Sequence, residues 1–311
     1  MQIERLQTLE PRATAPCAAA IGNFDGVHRG HARLVAETVA SARALGGRAV
    51  VLTFDPHPAR VLAPGSAPCS LLTLEQKAEI LGTLGVDTLA VLPFTPAVAL
   101  LEAEEFARDV LASCLGAAAV VVGDDFRFGR GRAGDGALLA ELGERLGFTV
   151  TRVEPVTHLD EPISSTRVRR ALAAGDVATA ADLLGRRFFV DGVVEAGDGR
   201  GRGLGFPTAN VATSNETLPA NGVYACLFAV GGEPPREAVA NLGTRPTFEG
   251  GAAPRLEVHA LDTDRDLYGR SVRTAFVERL RGEQRFPDAE ALSLQIAEDV
   301  ARAREVLADA I

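Results

Sequence analysis

CAAAIGNFDGVHRGHARLVAETVASARALGGRAVVLTF, residues 17–54, reads as strand, turn, helix and strand. The run CAAAIG at 17–22 is nearly unbroken in apolar character, as a strand buried on both faces requires. Leu34, Val35, Val39 and Ala42 then recur at helical spacing, and RAVVLTF at 48–54 returns to strand character. The alternation continues outward through VDTLAVL at 86–92, AAAVVVG at 117–123 and FTVTRVE at 148–154. Helical patterns lie between these runs in EAEEFARDVLASCL and DGALLAELGERL, and two more helices begin at Ser164 and Asp176. Such alternation predicts an α/β domain with a parallel sheet covered by helices.

After LLGRRF, near residue 185, the character changes. FFVDGVVEAG, NGVYACLFAV, REAVANLG, RLEVHALD and RSVRTAFVERL are strand-like and broken by Gly, Pro and Asn, which predicts a mainly β domain, a small antiparallel barrel. Leu292, Ile296, Val300, Ala303 and Leu307 then line one face of a C-terminal helix. A chain of 311 residues suits two domains of about 150 each, and the pattern puts them at 1–184 and 185–311.

Composition narrows the function. Hydrophobic residues make up 47% and charged residues 23%, an ordinary globular balance, and no apolar run approaches the ~18 residues of a membrane helix. Glu4 and Glu10 interrupt the start where a signal peptide needs a basic and then an apolar stretch, so the expected location is cytoplasmic, with no membrane partner. Both halves are acidic, with 17 basic against 22 acidic residues up to Leu184 and 15 against 19 beyond it. With 14 Phe, 2 Tyr and no Trp, neither half offers a basic, aromatic-rich surface to nucleic acid. Cys17, Cys69, Cys114 and Cys226 are at least 45 residues apart and form neither a zinc nor a disulfide pattern. Every basic residue but Lys77 is arginine, and Lys77 lies in a helical pattern without the glycines of a P-loop.

Two segments carry chemistry. In AIGNFDGVHRGHARLV a strand passes through Gly22 and Gly26 into a helix starting near His31, with His28 and His31 bracketing Arg29 and Gly30. A helix N-terminus attracts phosphate through its unpaired N–H groups and partial positive charge, and two imidazoles beside it can steady charge on a phosphate under attack. The same histidines also read as surface or metal-binding residues. ISSTRVRRAL at 163–172 opens another helix with three hydroxyls and then Arg167, Arg169 and Arg170, either a plain N-cap or a grip on a triphosphate. Farther on, GDGRGRGLGFPTANV at 197–211 alternates glycine with arginine before Thr208 and Asn210. Such glycines admit phosphate to the backbone, and a hydroxyl with an amide oxygen suits Mg²⁺, although a surface hairpin is glycine-rich too. Gly129, Gly131 and Gly134 spell G-x-G-x-x-G, but Gly129 comes six residues after the preceding strand run, so a loop over the substrate is expected there rather than a dinucleotide site.

GNFDGVHRGH, VLTFDPHP, VGDDFRFG and S-S-T-x-V-R, in this order, together resemble the adenylyltransferase half of the bacterial bifunctional riboflavin kinase/FAD synthetase family. PTAN, NGVYAC, NLGTRPTF, LEVHALD, DLYG and RGEQRF resemble its kinase half. The resemblance implies a Rossmann-like nucleotidyltransferase fold followed by the barrel. It implies two reactions: phosphorylation of riboflavin to FMN with Mg-ATP, and adenylylation of FMN to FAD with release of pyrophosphate. It places His28, His31, Ser165, Thr166 and Arg169 on the ATP phosphates, with Gly22, Asn23, Phe24 and His57 around the nucleotide. Asp125, where the family often has Asn, goes to the flavin. In the second half it places Gly203, Gly205, Thr208 and Asn210 at Mg-ATP, Thr208 and Asn210 being the metal residues. Glu257 becomes the base for the riboflavin 5′-hydroxyl, and Arg281 and Phe286 part of a flap over the flavin. By residue type alone, Glu257 on an alternating strand also reads as a solvated residue, and His259 on the same face as structural. A chain keeping one activity, or a non-catalytic flavin-binding protein, stands as the alternative.

Overall fold

The computed structural model describes residues 1–10, 15–196, 205–246, 252–263 and 265–308. The chain divides into two compact units, Met1–Ser165 and Thr166–Ile311.

The first unit is built on a six-stranded, wholly parallel sheet: β1 Gln2–Arg5, β2 Cys17–Ile21, β3 Arg48–Asp55, β4 Thr88–Pro93, β5 Ala117–Gly123 and β6 Thr149–Val153. Their order is β1-β4-β3-β2-β5-β6. Five are the apolar runs read from the sequence. The sixth, β1, is QIER, four mostly exposed residues at the edge of the sheet, without an apolar run to announce it. All five residues of β2 are buried, which explains why alanine and cysteine suffice there: helices press on both faces. On one face lies α1, Arg29–Ala44, burying Leu34, Val35, Thr38 and Ala42. The other face carries a core that includes Leu52, Val120, Phe106, Leu111 and Leu139. From β2 the chain moves through α1 to β3, whereas from β5 it moves the opposite way to β6. The crevice outside the carboxyl ends of β2 and β5 is therefore the switch point where open α/β sheets place their ligands.

Gly129, Gly131 and Gly134 belong to a small hairpin, Arg127–Phe128 against Gly134–Asp135. Phe128 is buried there against Phe106 and Phe126, and Asp135 caps helix Gly136–Leu146.

In the second unit six antiparallel strands close a barrel: β7 Phe189–Glu195, β8 Ala209–Ala212, β9 Gly222–Val230, β10 Arg236–Pro246, β11 Ala252–Ala260 and β12 Ser271–Arg281. Around the barrel they run β7-β8-β11-β10-β9-β12, and β12 returns to β7. Strand β8 lies inside GFPTANV, where Gly205 and Pro207 just ahead of it leave no strand pattern in the sequence. At the closing seam Arg273 clasps Asp191 with Nε and Nη2, at 2.6 and 2.8 Å, its Cζ 3.9 Å from the Phe189 ring centroid. Phe188, Tyr224, Phe228 and Phe276 are fully buried, and Tyr224 meets Phe276 edge-on with centroids 5.3 Å apart. The C-terminal helix, Ala289–Leu307, docks on the outside, packing Ala303 and Leu307 against Val223, Ala225, Leu227 and Val239.

Helices Ser165–Ala174 and Val177–Leu184, grouped with the first half in the sequence reading, make their close contacts in the second unit from Thr166 onward. Ala220 N donates to Leu172 O at 2.9 Å, Gly175 lies against the Arg279 side chain, and Val177–Leu184 packs on β12. A fragment beginning at Ser165 should accordingly resist urea better than one beginning at Gly185. The difference should be at least about 3 kcal/mol, because Leu172, Leu183 and Leu184 each lose a burial worth roughly 1.5–3 kcal/mol. Equal unfolding midpoints for the two fragments would show that these helices add nothing to the barrel unit.

Candidate active sites

At the switch point β2 makes its last ladder bond, Gly22 N to Leu52 O at 3.1 Å, and the chain leaves the sheet. The turn is tight, with positive φ at Phe24 (46°), Gly26 (81°) and Val27 (40°). It is pinned at several points. Thr53 Oγ1 and Lys77 Nζ both donate to Asn23 O, at 3.1 and 2.8 Å. Asp25 Oδ1 accepts from Leu71 N at 2.9 Å, Ser165 Oγ donates to Asp25 O at 2.8 Å, and the Phe24 ring is buried beneath.

The turn delivers His28 to the N-cap of α1, where its Nδ1 accepts from His31 N at 3.3 Å. The two imidazoles stack with centroids 3.6 Å apart, and Phe24 flanks His31 at 5.0 Å. Gly30 between them leaves the ring room: a Cβ there would stand 3.2 Å from the His28 ring, tighter than ordinary contact. With Nδ1 accepting, the neutral His28 ring carries its proton on Nε2, a donor beside the helix N-terminus. His57 repeats the device, its Nδ1 accepting from Ala59 N at 3.1 Å while Nε2 meets the Asn23 amide at 3.1 Å. Gly22, Asn23, Phe24, His28, His31, His57 and Ser165 thus gather around one turn. Asp125 is exposed just past the end of β5, the strand beside β2. Thr166 and Arg169 follow Ser165 on the next helix and are counted in the second unit.

Lys77 was set aside in the sequence as a helix residue, yet it sits under this turn. Burial pushes its pKa down, opposed by the nearby carboxylates of Asp25 and Asp55. The one available signal was compositional: a single lysine among 31 arginines.

In the barrel, β8 pairs with β11 so that Asn210 stands opposite Glu257. The alternation read in RLEVHALD holds: Leu256, Val258 and Ala260 are buried, and Arg255, Glu257 and His259 share the other face. That face grips the segment leading through β8. Arg255 donates to Asn210 Oδ1 from Nη2 and Nε, at 2.7 and 3.1 Å, and lies 2.6 Å from the Glu257 carboxylate. His259 Nδ1 donates to Pro207 O at 2.7 Å and meets Phe206 edge-on. Glu257 is therefore no lone solvated residue, since its side chain is one quarter exposed and ion-paired. Thr208 is exposed ahead of β8, and Gly205 turns the chain with φ 85°. Gly203 and the arginine–glycine run around it lie outside the described residues. Arg281 is committed to a buried pair with Asp299 of the C-terminal helix, Nη2 to Oδ2 at 2.8 Å, its Cζ 5.6 Å from the Phe286 ring. Among the described residues no three His, Cys, Asp or Glu side chains converge as a metal cluster.

Residues 10–167 match the FAD synthetase family and residues 184–307 the riboflavin kinase family. The chain is 41% identical over 303 residues to the bifunctional riboflavin kinase/FMN adenylyltransferase of Escherichia coli K12, covering 97% of this chain and 96% of that one. The chain belongs to this bifunctional family.

Members bearing the same description in Pseudomonas fluorescens and Bacillus subtilis are 42% and 36% identical, over 99% and 92% of the chain and 98% and 90% of theirs. A crystal structure described as a macrolide-efflux protein from Streptococcus pneumoniae superposes with a TM-score of 0.88 at 29% identity, covering 98% of this chain and 99% of that one. The enzyme is thus a riboflavin kinase and an FMN adenylyltransferase in one chain, using ATP and making FMN and FAD. Its barrel geometry gives His259 a task, holding the Pro207 carbonyl just before Thr208. His259→Ala should raise the KM for ATP in FMN formation roughly tenfold, about the worth of one hydrogen bond. Steady-state assay of FMN formation over a range of ATP concentrations checks this, and an unchanged KM would count against the role.

Proposed function

We propose that the Gly22–His31 turn, with His57, Ser165, Thr166 and Arg169, binds ATP for adenylyl transfer, and that the face of β11 opposite β8 carries the kinase chemistry. The adenylyltransferase part is assigned to residues 1–184 and the riboflavin kinase part to 185–311. The observation that carries the first assignment is the stacked His28–His31 pair at the N-terminus of α1. In adenylyl transfer an FMN phosphate oxygen attacks the α-phosphorus of ATP, the bond to the β-phosphate bridging oxygen breaks, and pyrophosphate leaves. No proton need be taken from the nucleophile. What the site must supply is donors aimed at oxygens that gain charge, and backbone N–H groups at a helix start with imidazole N–H beside them are such donors. Ser165, Thr166 and Arg169 add hydroxyls and a guanidinium for the departing phosphates. Asp125, at the neighbouring strand end, is assigned to the flavin.

In the kinase reaction the riboflavin 5′-hydroxyl oxygen attacks the γ-phosphorus, ADP leaves, and Glu257 takes the hydroxyl proton. The donor set near it suits Mg²⁺: the Asn210 amide oxygen and the Glu257 carboxylate already draw one cation, the Arg255 guanidinium, between them. Thr208 and Asn210 are the residues proposed to hold Mg²⁺, which when bound neutralises phosphate charge. Gly203 and Gly205 belong to the same nucleotide loop, and Arg281 and Phe286 to the flavin side. A cytoplasmic location belongs to this reading. The efflux activity in the description of the pneumococcal structure stays with that protein. Among the described residues of this chain no helix is long and apolar enough to cross a membrane.

Replacing both His28 and His31 with Ala should abolish FAD formation from supplied FMN while FMN formation continues at the parent rate, read by separating the two flavins after incubation with ATP. FAD production at the parent rate would overturn the assignment of this turn. Glu257→Gln keeps shape and removes the proton acceptor, so FMN formation should fall by roughly 10²–10⁴ with adenylylation of supplied FMN unchanged. A Gln variant whose FMN formation stays within about threefold of the parent, far less than a lost base costs, would return Glu257 to a structural role.

A further inference from the structure

Lysine occurs once in this chain, beside 31 arginines. Every other basic position uses the guanidinium, the buried Arg281 included. Lys77 lies on helix Leu74–Thr83, and its Nζ donates to Asn23 O at 2.8 Å and to Thr53 Oγ1 at 3.3 Å. Thr53 Oγ1 donates to the same carbonyl at 3.1 Å, so three groups meet at one point. A compact ammonium with three rotatable donors suits such a point, whereas a planar five-donor fork needs a broader set of acceptors. Burial lowers the Lys77 pKa, and the carboxylates of Asp25 and Asp55 oppose that effect.

The helix that bears Lys77 is itself fixed against the turn. Thr73 and Gln76 close a capping box at its start, and Leu71 N, two residues earlier, donates to Asp25 Oδ1 at 2.9 Å. The 22–28 turn is therefore braced twice from one helix start, at Asp25 through the backbone and at Asn23 through the only lysine. The turn carries the Asn23 amide, 3.1 Å from His57 Nε2, and leads into His28, the cap of α1 stacked on His31. We infer that Lys77 is a positioning residue for adenylyl transfer: by fixing the Asn23 carbonyl it sets the Asn23 amide and the path to His28, without touching a substrate. This rests on the reading of the turn as the ATP site.

The full-length enzyme provides the test, because labelling lysine side chains with ¹⁵N gives one ammonium resonance. That signal should shift when α,β-methylene-ATP is added to the parent, and the shift should vanish in the double His28→Ala, His31→Ala variant. Lys77→Met should lower kcat for FAD formation by roughly 10- to 100-fold, the scale of a small misplacement of reacting groups, with the KM for FMN nearly unchanged. Lys77→Arg should fail to rescue, and FMN formation should stay at the parent rate in both variants. A merely structural lysine would lower the unfolding temperature and leave kcat below that temperature unmoved. The inference is overturned by an ammonium signal indifferent to the ATP analogue, or by a Lys77→Met enzyme whose kcat stays within about twofold of the parent, well short of that misplacement scale. Should Lys77→Met fail to fold, the ammonium signal alone decides, a shift sustaining the inference and its absence ending it. Continued FAD formation by the double histidine variant would instead refute the turn as the ATP site, a separate failure.

Discussion

A peptide carbonyl that leaves a sheet without leaving the protein must find a donor, because an unmade bond at a buried polar group costs about 1–3 kcal/mol. Asn23 O is such a group. The ladder ends one residue earlier at Gly22, and the next carbonyl is met by a threonine hydroxyl from β3 and an ammonium from helix Leu74–Thr83. Everything beyond depends on that settlement: the positive φ of Phe24 and Val27, the carboxylate of Asp25 turned to Leu71 N, the imidazole of His28 closing the first turn of α1. A residue at positive φ persists only where its surroundings over-determine it, and the converging bonds here are that surrounding.

The two proposed sites meet a shared need, holding ATP phosphates without a P-loop, by different means. In the first, a strand ends at the switch point of a parallel sheet and a helix begins, so the donors are backbone groups and rings fixed by that helix start. In the second, Arg255 and His259 of β11 reach to the segment leading through β8, at the Asn210 amide oxygen and the Pro207 carbonyl, and Arg255 also pairs with Glu257. The sheet site is built mostly of neutral donors. The barrel site holds opposite charges face to face.

What the sequence made legible followed from periodicity. The buried strands β2 to β5 are apolar at most of their positions and were found to within about two residues. β1 escaped because an exposed edge strand of four residues leaves no pattern, and β8 because Gly205 and Pro207 disguise its start. The histidine pair was legible from its spacing, since a helix start after a strand fixes where both rings go. Lys77 was not, because a helical pattern does not say which helix end lies under which turn. Arg255 stood two residues from Glu257, on the face that alternation gave to both, yet their pairing depends on β8 lying alongside. Arg281 and Asp299 pair only once the C-terminal helix has docked, a contact no local pattern encodes. The same holds for the helices between residues 165 and 184, whose partners, Ala220 and strand β12, come later in the chain.

The order of strands also bears on how the protein is made. All six strands of the first sheet lie before residue 154, so that sheet can assemble as it emerges from the ribosome, in the N-terminal-first order common to multidomain chains. The barrel cannot. Its last strand, β12, is the partner of both β7 and β9, and the clasp at the seam joins Arg273 to Asp191, 82 residues earlier. Until β12 is synthesised, β7 and β9 each present an unpaired edge, the kind of surface on which strands from other chains add. A translation stalled before residue 271 would therefore release a finished sheet joined to an open, aggregation-prone half-barrel, and protein quality control would meet this chain chiefly through its second half.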